Sequence, residues 1–225
     1  MIIKEKLGHH FIRDLINERS VVIDLGGNVG EFSKFIAENI GAVVYVLEPI
    51  KCLFARIPEN NRIKKFNYCV GAKDGLRKIY IPNDSCATIY KKGYQEVICY
   101  CTKLDTFIRE HNIFRIDLLK VDIEGAEIEV FETISDQTLK IINQMTIEFH
   151  DFLWPELKTK VKYIKKRIEK LGYYCIRFSI TNNGDVLFIK KNMITRWQYF
   201  YIKYFERIKR GIIRRVRRYL NNFKI

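Results

Sequence analysis

The stretch "IDLLKVDIEGAEIEVFE", residues 116–132, runs an apolar segment straight into a knot of carboxylates around one glycine. "IDLLKV" has the composition of a buried strand, and "AEIEVFETI" has the period of a helix. Asp122 falls where the strand should emerge, Glu124 follows in the loop, and Gly125 permits a sharp turn. Carboxylates at the carboxyl end of a strand, just before a helix, stand where open α/β sheets bind ligands. Alternation puts Leu118, Lys120 and Asp122 on one face of the strand. Glu127 and Glu129 read as a solvated helix start that complements the helix dipole.

Outward from this block the chain alternates strands with helices. "VVIDLGG" and "AVVYVLEP" are β-branched strands separated by the helical "VGEFSKFIAENI", and "IKKFNYCVGAKDG" adds a third strand and a turn. Leu76 to Thr106 changes to alternation, with extra strands over "RKIYIPND", "ATIYKKG" and "EVICYCTKL". "TFIREHNI" is a short helix, "QMTIEFH" a strand, and "LKTKVKYIKKRIEKLG" a helix stopped by Gly172. Asn183-Gly184 marks a closing hairpin. Before all of these, Leu7, Phe11, Leu15 and Ile16 are spaced as on a helix. The expected organisation is a helix over 1–19, an α/β domain over 20–192, and a basic aromatic helix over 193–225. Strand–helix alternation gives a mostly parallel sheet, and the terminal hairpin reverses its last strand.

"VVIDLGGNVGEF" is a strand, a tight glycine turn and a helix start, the build of a nucleotide-binding loop. Asp24 precedes the glycines, where it would repel phosphates and attract an ammonium group. Glu48 ends the next strand, where a carboxylate can accept both hydroxyls of a ribose. The implied ligand is a phosphate-free nucleoside with a cationic end, and S-adenosylmethionine has that chemistry.

"VVIDLGGNVGEFS", "VLEP", "TKLDTF" and "IDLLKVDIEGAEIEVFE" resemble the FkbM family of S-adenosylmethionine-dependent methyltransferases over roughly residues 20–190. The resemblance implies a class I methyltransferase fold, bound S-adenosyl-L-methionine, and methyl transfer to oxygen, often on a sugar or natural-product hydroxyl. It makes Asp24, Gly26, Asn28, Gly30 and Glu48 cofactor contacts and puts Asp74 on the adenine side. Asp122 lies close to the transferable methyl.

A hydroxyl acceptor must lose its proton. Thr146, Glu148 and His150 share a strand face in "MTIEFHDF", and His150 is the candidate base, with Glu148 beside it. Asp122, Glu148 and His150 are chemically able to bind a divalent metal, yet no tight ligand spacing demands one, so none is assigned. His9, His10 and His111 receive no role. The rival acceptor is an RNA 2′-hydroxyl, prompted by the sequence pI of about 9.5, and Lys120 and Asp122 also match part of the Lys/Asp/Lys/Glu sets used for ribose methylation. A binding module without catalysis is the non-enzyme alternative.

The 225 residues carry a formal charge of +14 and are 48% hydrophobic, enough for a sizeable core. Six cysteines without a CxxC pair, and no signal-peptide pattern, point to a reducing, cytoplasmic setting. From Arg196 to Ile225 there are ten Lys/Arg and one acid, so about +9 of the charge sits there. Trp197, Tyr201, Tyr204, Phe205 and Ile208 recur there at helical steps. That composition suits an interfacial helix on an anionic membrane. Packing on the body or on a second subunit of a homodimer competes with it, and nucleic-acid contact ranks behind both.

Overall fold

The computed structural model describes residues 1–81, 95–179 and 182–209. The strand expected over "ATIYKKG", Cys86, and the tail beyond Lys209 lie outside the described residues. The chain opens with an antiparallel hairpin, β1 (Ile3–Lys6) and β2 (His9–Ile12). This corrects the helix expected over 1–19. Leu7 and Gly8 both take left-handed backbone angles, φ 53° and 82°, and so form a tight turn that breaks the helical spacing. All four residues of β2 are buried. The hairpin is fastened to the body by Gln144, whose side chain accepts the Ile12 N–H and donates to the Ile12 carbonyl.

The central elements then follow as β3 (Val21–Leu25), α1 (Glu31–Ile40), β4 (Val43–Leu47), α2 (Lys51–Phe54) and β5 (Ile63–Phe66). Next come β6 (Tyr68–Val70), β7 (Gly75–Ile81), β8 (Gln95–Thr102) and α3 (Leu104–Glu110). The opening stretch of sequence is β9 (Leu118–Val121) and α4 (Glu127–Thr133), followed by α5 (Asp136–Ile141) and β10 (Gln144–Ile147). The body closes with α6 (Lys158–Lys170), β11 (Tyr173–Arg177) and β12 (Val186–Lys190). α7 (Arg196–Phe200), capped by Thr195, continues through a wide π-helical turn over Tyr201–Glu206.

Seven strands form one sheet in the order β11-β12-β10-β9-β3-β4-β5. β12 runs antiparallel to both neighbours, and the remaining pairings are parallel. This is the class I methyltransferase sheet. Its two faces alternate residue by residue: Val22, Val44 and Leu118 pack with Phe32 and Ile36 of α1, while Ile23, Leu47 and Val121 pack with Phe107, Phe131 and Phe149. β3 is the switch point, because successive strands lead away from it on both sides. A second sheet, β6-β8-β7, stands beside the first and carries Cys69, Cys99 and Cys101 inward as core residues. No helix among the described residues is long and apolar enough to cross a membrane.

Candidate active site

The carboxyl ends of β3, β4 and β9 open onto a cavity of about 360 Å3, within the range of small-molecule sites. Gly26, Gly27 and Asn28 of the glycine turn line it with Glu48, Ile50 and Leu53. Tyr68, Cys69, Arg77 and Ile79 of the second sheet close one side, and His9, Lys120, Asp122 and Glu124 form the far end. The turn is tight for a steric reason. A Cβ on Gly26, which has φ 79°, would sit 1.8 Å from the Asp122 carbonyl oxygen, so only glycine lets these two strand tips meet.

At the β4 tip, Glu48 accepts the Asn28 N–H at 2.8 Å through one oxygen and the Ile50 N–H at 2.9 Å through the other. Burial pushes its pKa up to about 7, and the two backbone donors offset only part of that. Asn28 takes a left-handed conformation, φ 51°, which aims its N–H at the carboxylate.

Asp24 behaves differently from the sequence reading. It is fully buried under the glycine turn and does not line the cavity. Asp24 and Lys120 are direct partners in the β3–β9 register, with Nζ 3.2 Å from Oδ1, and Ser33 donates to the other oxygen at 2.7 Å. Lys120 also donates to the Gly26 carbonyl at 2.7 Å and lies 3.8 Å from Asp122. Burial opposes the Lys120 charge, yet Asp24 and Asp122 outweigh it and raise its pKa. The lysine is thus a buried strut that ties the glycine turn to the acidic strand tip.

At the β9 tip, Asp122 faces His9 Nε2 at 3.4 Å and His150 Nε2 at 4.0 Å. Burial works against its charge, but Lys120, His9 and His150 hold its pKa well below the usual carboxylate range. His9 is the residue that the sequence reading missed. It is 1% exposed, and the β1–β2 hairpin delivers it to the cavity, with Thr146 Oγ1 3.4 Å from its other nitrogen. Glu148, just past β10, is pushed up to about 7 by burial and then by the Asp122 charge. Donor atoms of His9, Asp122 and Glu148 lie within 4.8 Å of one another and have the spacing to hold a cation; those of Asp122, Glu124 and His150 are equally close, but there the imidazole itself is the cationic member.

His150 is also held by Glu127 and Glu124. Its Nδ1 lies 2.9 Å from Glu127, and its Nε2 is 3.4 Å from Glu124. Burial alone would lower the imidazole, but Glu127, Glu124 and Asp122 carry it up to about 9, so it is an imidazolium at neutral pH rather than a ready base. Glu127 is no solvated helix start. It is fully buried and also accepts the N–H groups of Ile123 and Gly125, which fixes the acidic loop. Glu129 pairs with Arg77.

Two further expectations change. Asp74 accepts from the Lys103 N–H at 2.7 Å and the Thr106 hydroxyl at 2.9 Å, which fastens the start of α3 and leaves it off the cavity. Gly30 caps α1, and a Cβ there would press on Ile57 and Pro58, so it too stays off the cavity.

The donor set fits a phosphate-free cationic nucleoside. Glu48 lines the cavity as a carboxylate of the kind that suits vicinal hydroxyls, and Asp122 with Glu124 places negative charge where a sulfonium or ammonium group would be favoured. A pyrophosphate would meet those acids together with Glu31 in the first turn of α1, and Arg77 is already spent on Glu129.

The sequence model of the methyltransferase FkbM domain matches residues 24–175. "Methyltransferase 1" of Beauveria bassiana is 23% identical over 162 residues, covering 59% of this chain and 65% of that protein. The AMB antimetabolite synthetase AmbE of Pseudomonas aeruginosa is 26% identical over 179 residues, 59% of this chain but 8% of that protein. The chain therefore spans less than two thirds of either relative. Among solved structures, an rRNA methylase from Streptococcus thermophilus gives a TM-score of 0.47 at 9% identity, covering 79% of this chain and 90% of that one. TrmK of M. capricolum with bound S-adenosyl-homocysteine gives 0.46 at 12% identity, covering 83% and 70%.

Proposed function

The chain belongs to the FkbM methyltransferase family, and from that premise we propose that it is an O-methyltransferase acting on a hydroxyl of a glycan, glycolipid or related small molecule. S-adenosyl-L-methionine, the cofactor, supplies a methyl group already activated on a sulfonium. The chain's own residues bind, orient and move the proton. Glu48 accepts the ribose hydroxyls, Asn28 and the glycine turn hold the nucleoside edge, and Asp122 faces the cationic end. Holding acceptor and methyl in line is worth up to roughly 7–11 kcal/mol in well-oriented systems.

The observation that carries this reading is the cluster at the β9 tip, where donor atoms of His9, Asp122 and Glu148 lie within 4.8 Å of one another and the two carboxylates differ in proton affinity. Neighbouring carboxylates whose surroundings push their pKa values apart divide the work between a permanent charge and a proton carrier. Asp122 stays ionised at the cavity wall and orients the acceptor hydroxyl, while Glu148, outside the lining but within 4.8 Å of Asp122 and with a pKa of about 7, takes the proton from that side. His150, as an imidazolium, positions the Glu124–Glu127 loop and leaves the base role to Glu148.

The RNA 2′-hydroxyl reading is weaker because the basic charge that prompts it is concentrated beyond Arg196, and Lys120 is buried and spent on Asp24 and the Gly26 carbonyl. Incubation with methyl-labelled cofactor tests the choice. Label in a glycan or glycolipid fraction, at oxygen, supports the proposal; label in total RNA, or no transfer to any hydroxyl, contradicts it.

A further inference from the structure

Among the described residues, the α7 segment has two faces of opposite character. One is fixed to the body: Ile202 is fully buried with Ile176, Leu187 and Ile189, and Tyr199 stacks on Tyr174 at 4.1 Å. The other face is bare. Trp197 is 84% exposed, Phe205 69% and Ile208 60%, with Tyr201 and Tyr204 about half exposed beside them. Tyr201 and Phe205 stack on each other, which keeps the stripe continuous. Contiguous apolar surface of this kind marks an interaction site. Arg196, Lys203, Arg207 and Lys209 fall on the same segment with one acid, Glu206, and the sequence from Arg196 to Ile225 carries a net charge of about +9.

We propose that this exposed face docks in the plane of an anionic lipid bilayer, with its aromatic side chains at the headgroup boundary and its cations against the lipid phosphates. A second copy of the chain would meet the stripe with an equally cationic segment, a like-charge contact that costs association. Nucleic-acid phosphates would pair the cations but leave Ile208 and Phe205 in water. A bilayer answers both the aromatic and the cationic halves. Because Ile202 and Tyr199 anchor the helix, docking holds the whole domain at the surface, where lipid-linked acceptors reside. The inference stands apart from the methyl-transfer reading, since none of its residues lines the cavity.

The test uses the full chain and vesicles of phosphatidylcholine with and without phosphatidylglycerol. Cosedimentation with the anionic vesicles is expected, with brominated lipid quenching Trp197 in a Trp154→Phe background. A combined Trp197→Ala, Phe205→Ala and Ile208→Ala variant should lose about a hundredfold in partitioning, and raising salt should weaken the wild type. Its S-adenosylhomocysteine affinity should not change, which separates loss of docking from loss of the cofactor site. No binding to anionic vesicles, or equal binding by the triple variant, overturns the proposal. So does a stripe-dependent dimer, or stripe-dependent RNA binding, without vesicle association.

Discussion

At the β4 tip both oxygens of Glu48 are engaged by fixed backbone N–H groups, whereas at the β9 tip Asp122 shares its charge among Lys120, His9 and His150 with Glu148 beside it. The first end is backbone geometry, set by the glycine turn and by Asn28. The second is a set of side chains from three places in the chain, two of them carboxylates with well-separated pKa values. A cofactor end should be rigid and specific, and an acceptor end should change protonation as the reaction proceeds. The contrast teaches where each kind of substitution will be felt.

The sharpest way to break the contrast is at the strut that joins the two ends. Lys120→Met leaves Asp24 buried without its cation, a loss of about 3–5 kcal/mol. At roughly 2–4 °C per kcal/mol for a chain of this size, thermal unfolding should fall by about 10 °C. An unchanged melting temperature would mean that Asp24 is satisfied without the lysine. Next, Glu148→Gln should reduce kcat by about 10²–10⁴-fold while S-adenosylhomocysteine still binds as in the wild type. Equal kcat in the two proteins would move the proton elsewhere, and His150→Gln is the informative companion.

The comparison sharpens further with pH. Glu48 must be ionised to accept two hydroxyls, and its pKa of about 7 lies above the ordinary carboxylate value. Cofactor affinity should therefore rise with pH and level off above about pH 7, losing about tenfold per unit below it. Glu48→Gln should flatten that profile in calorimetry, and a profile that persists in the variant would assign the titration to another group. The smallest effect is expected from Asp74→Ala. It removes the fastening of α3 and should lower the melting temperature by about 2–4 °C, with cofactor affinity unaltered.

Much of the sheet was legible because β3 and β4 are β-branched runs and β9 an apolar one, each ending in turn chemistry. The amino-terminal hairpin was not. Leu7, Phe11 and Ile16 fall on a helical period by coincidence, and only the Leu7-Gly8 turn reveals the strands. His9 was missed for the same reason. Glu48 and Asp122 could be placed because a strand tip is a local property. Asp24 could not, since its orientation depends on Lys120, 96 residues away and brought alongside only by the β3–β9 register. Glu127 was misread because a helix start is usually wet, and here the folded acidic loop buries it.

The central claim, that Glu48 grips a nucleoside by its hydroxyls, meets its most direct test in titration calorimetry with S-adenosylhomocysteine on the wild type and Glu48→Ala. The account predicts saturable one-to-one binding that the substitution weakens by about a hundredfold, as expected for two hydrogen bonds to a charged acceptor. Equal affinity in the two proteins, or no binding by the wild type, would contradict it.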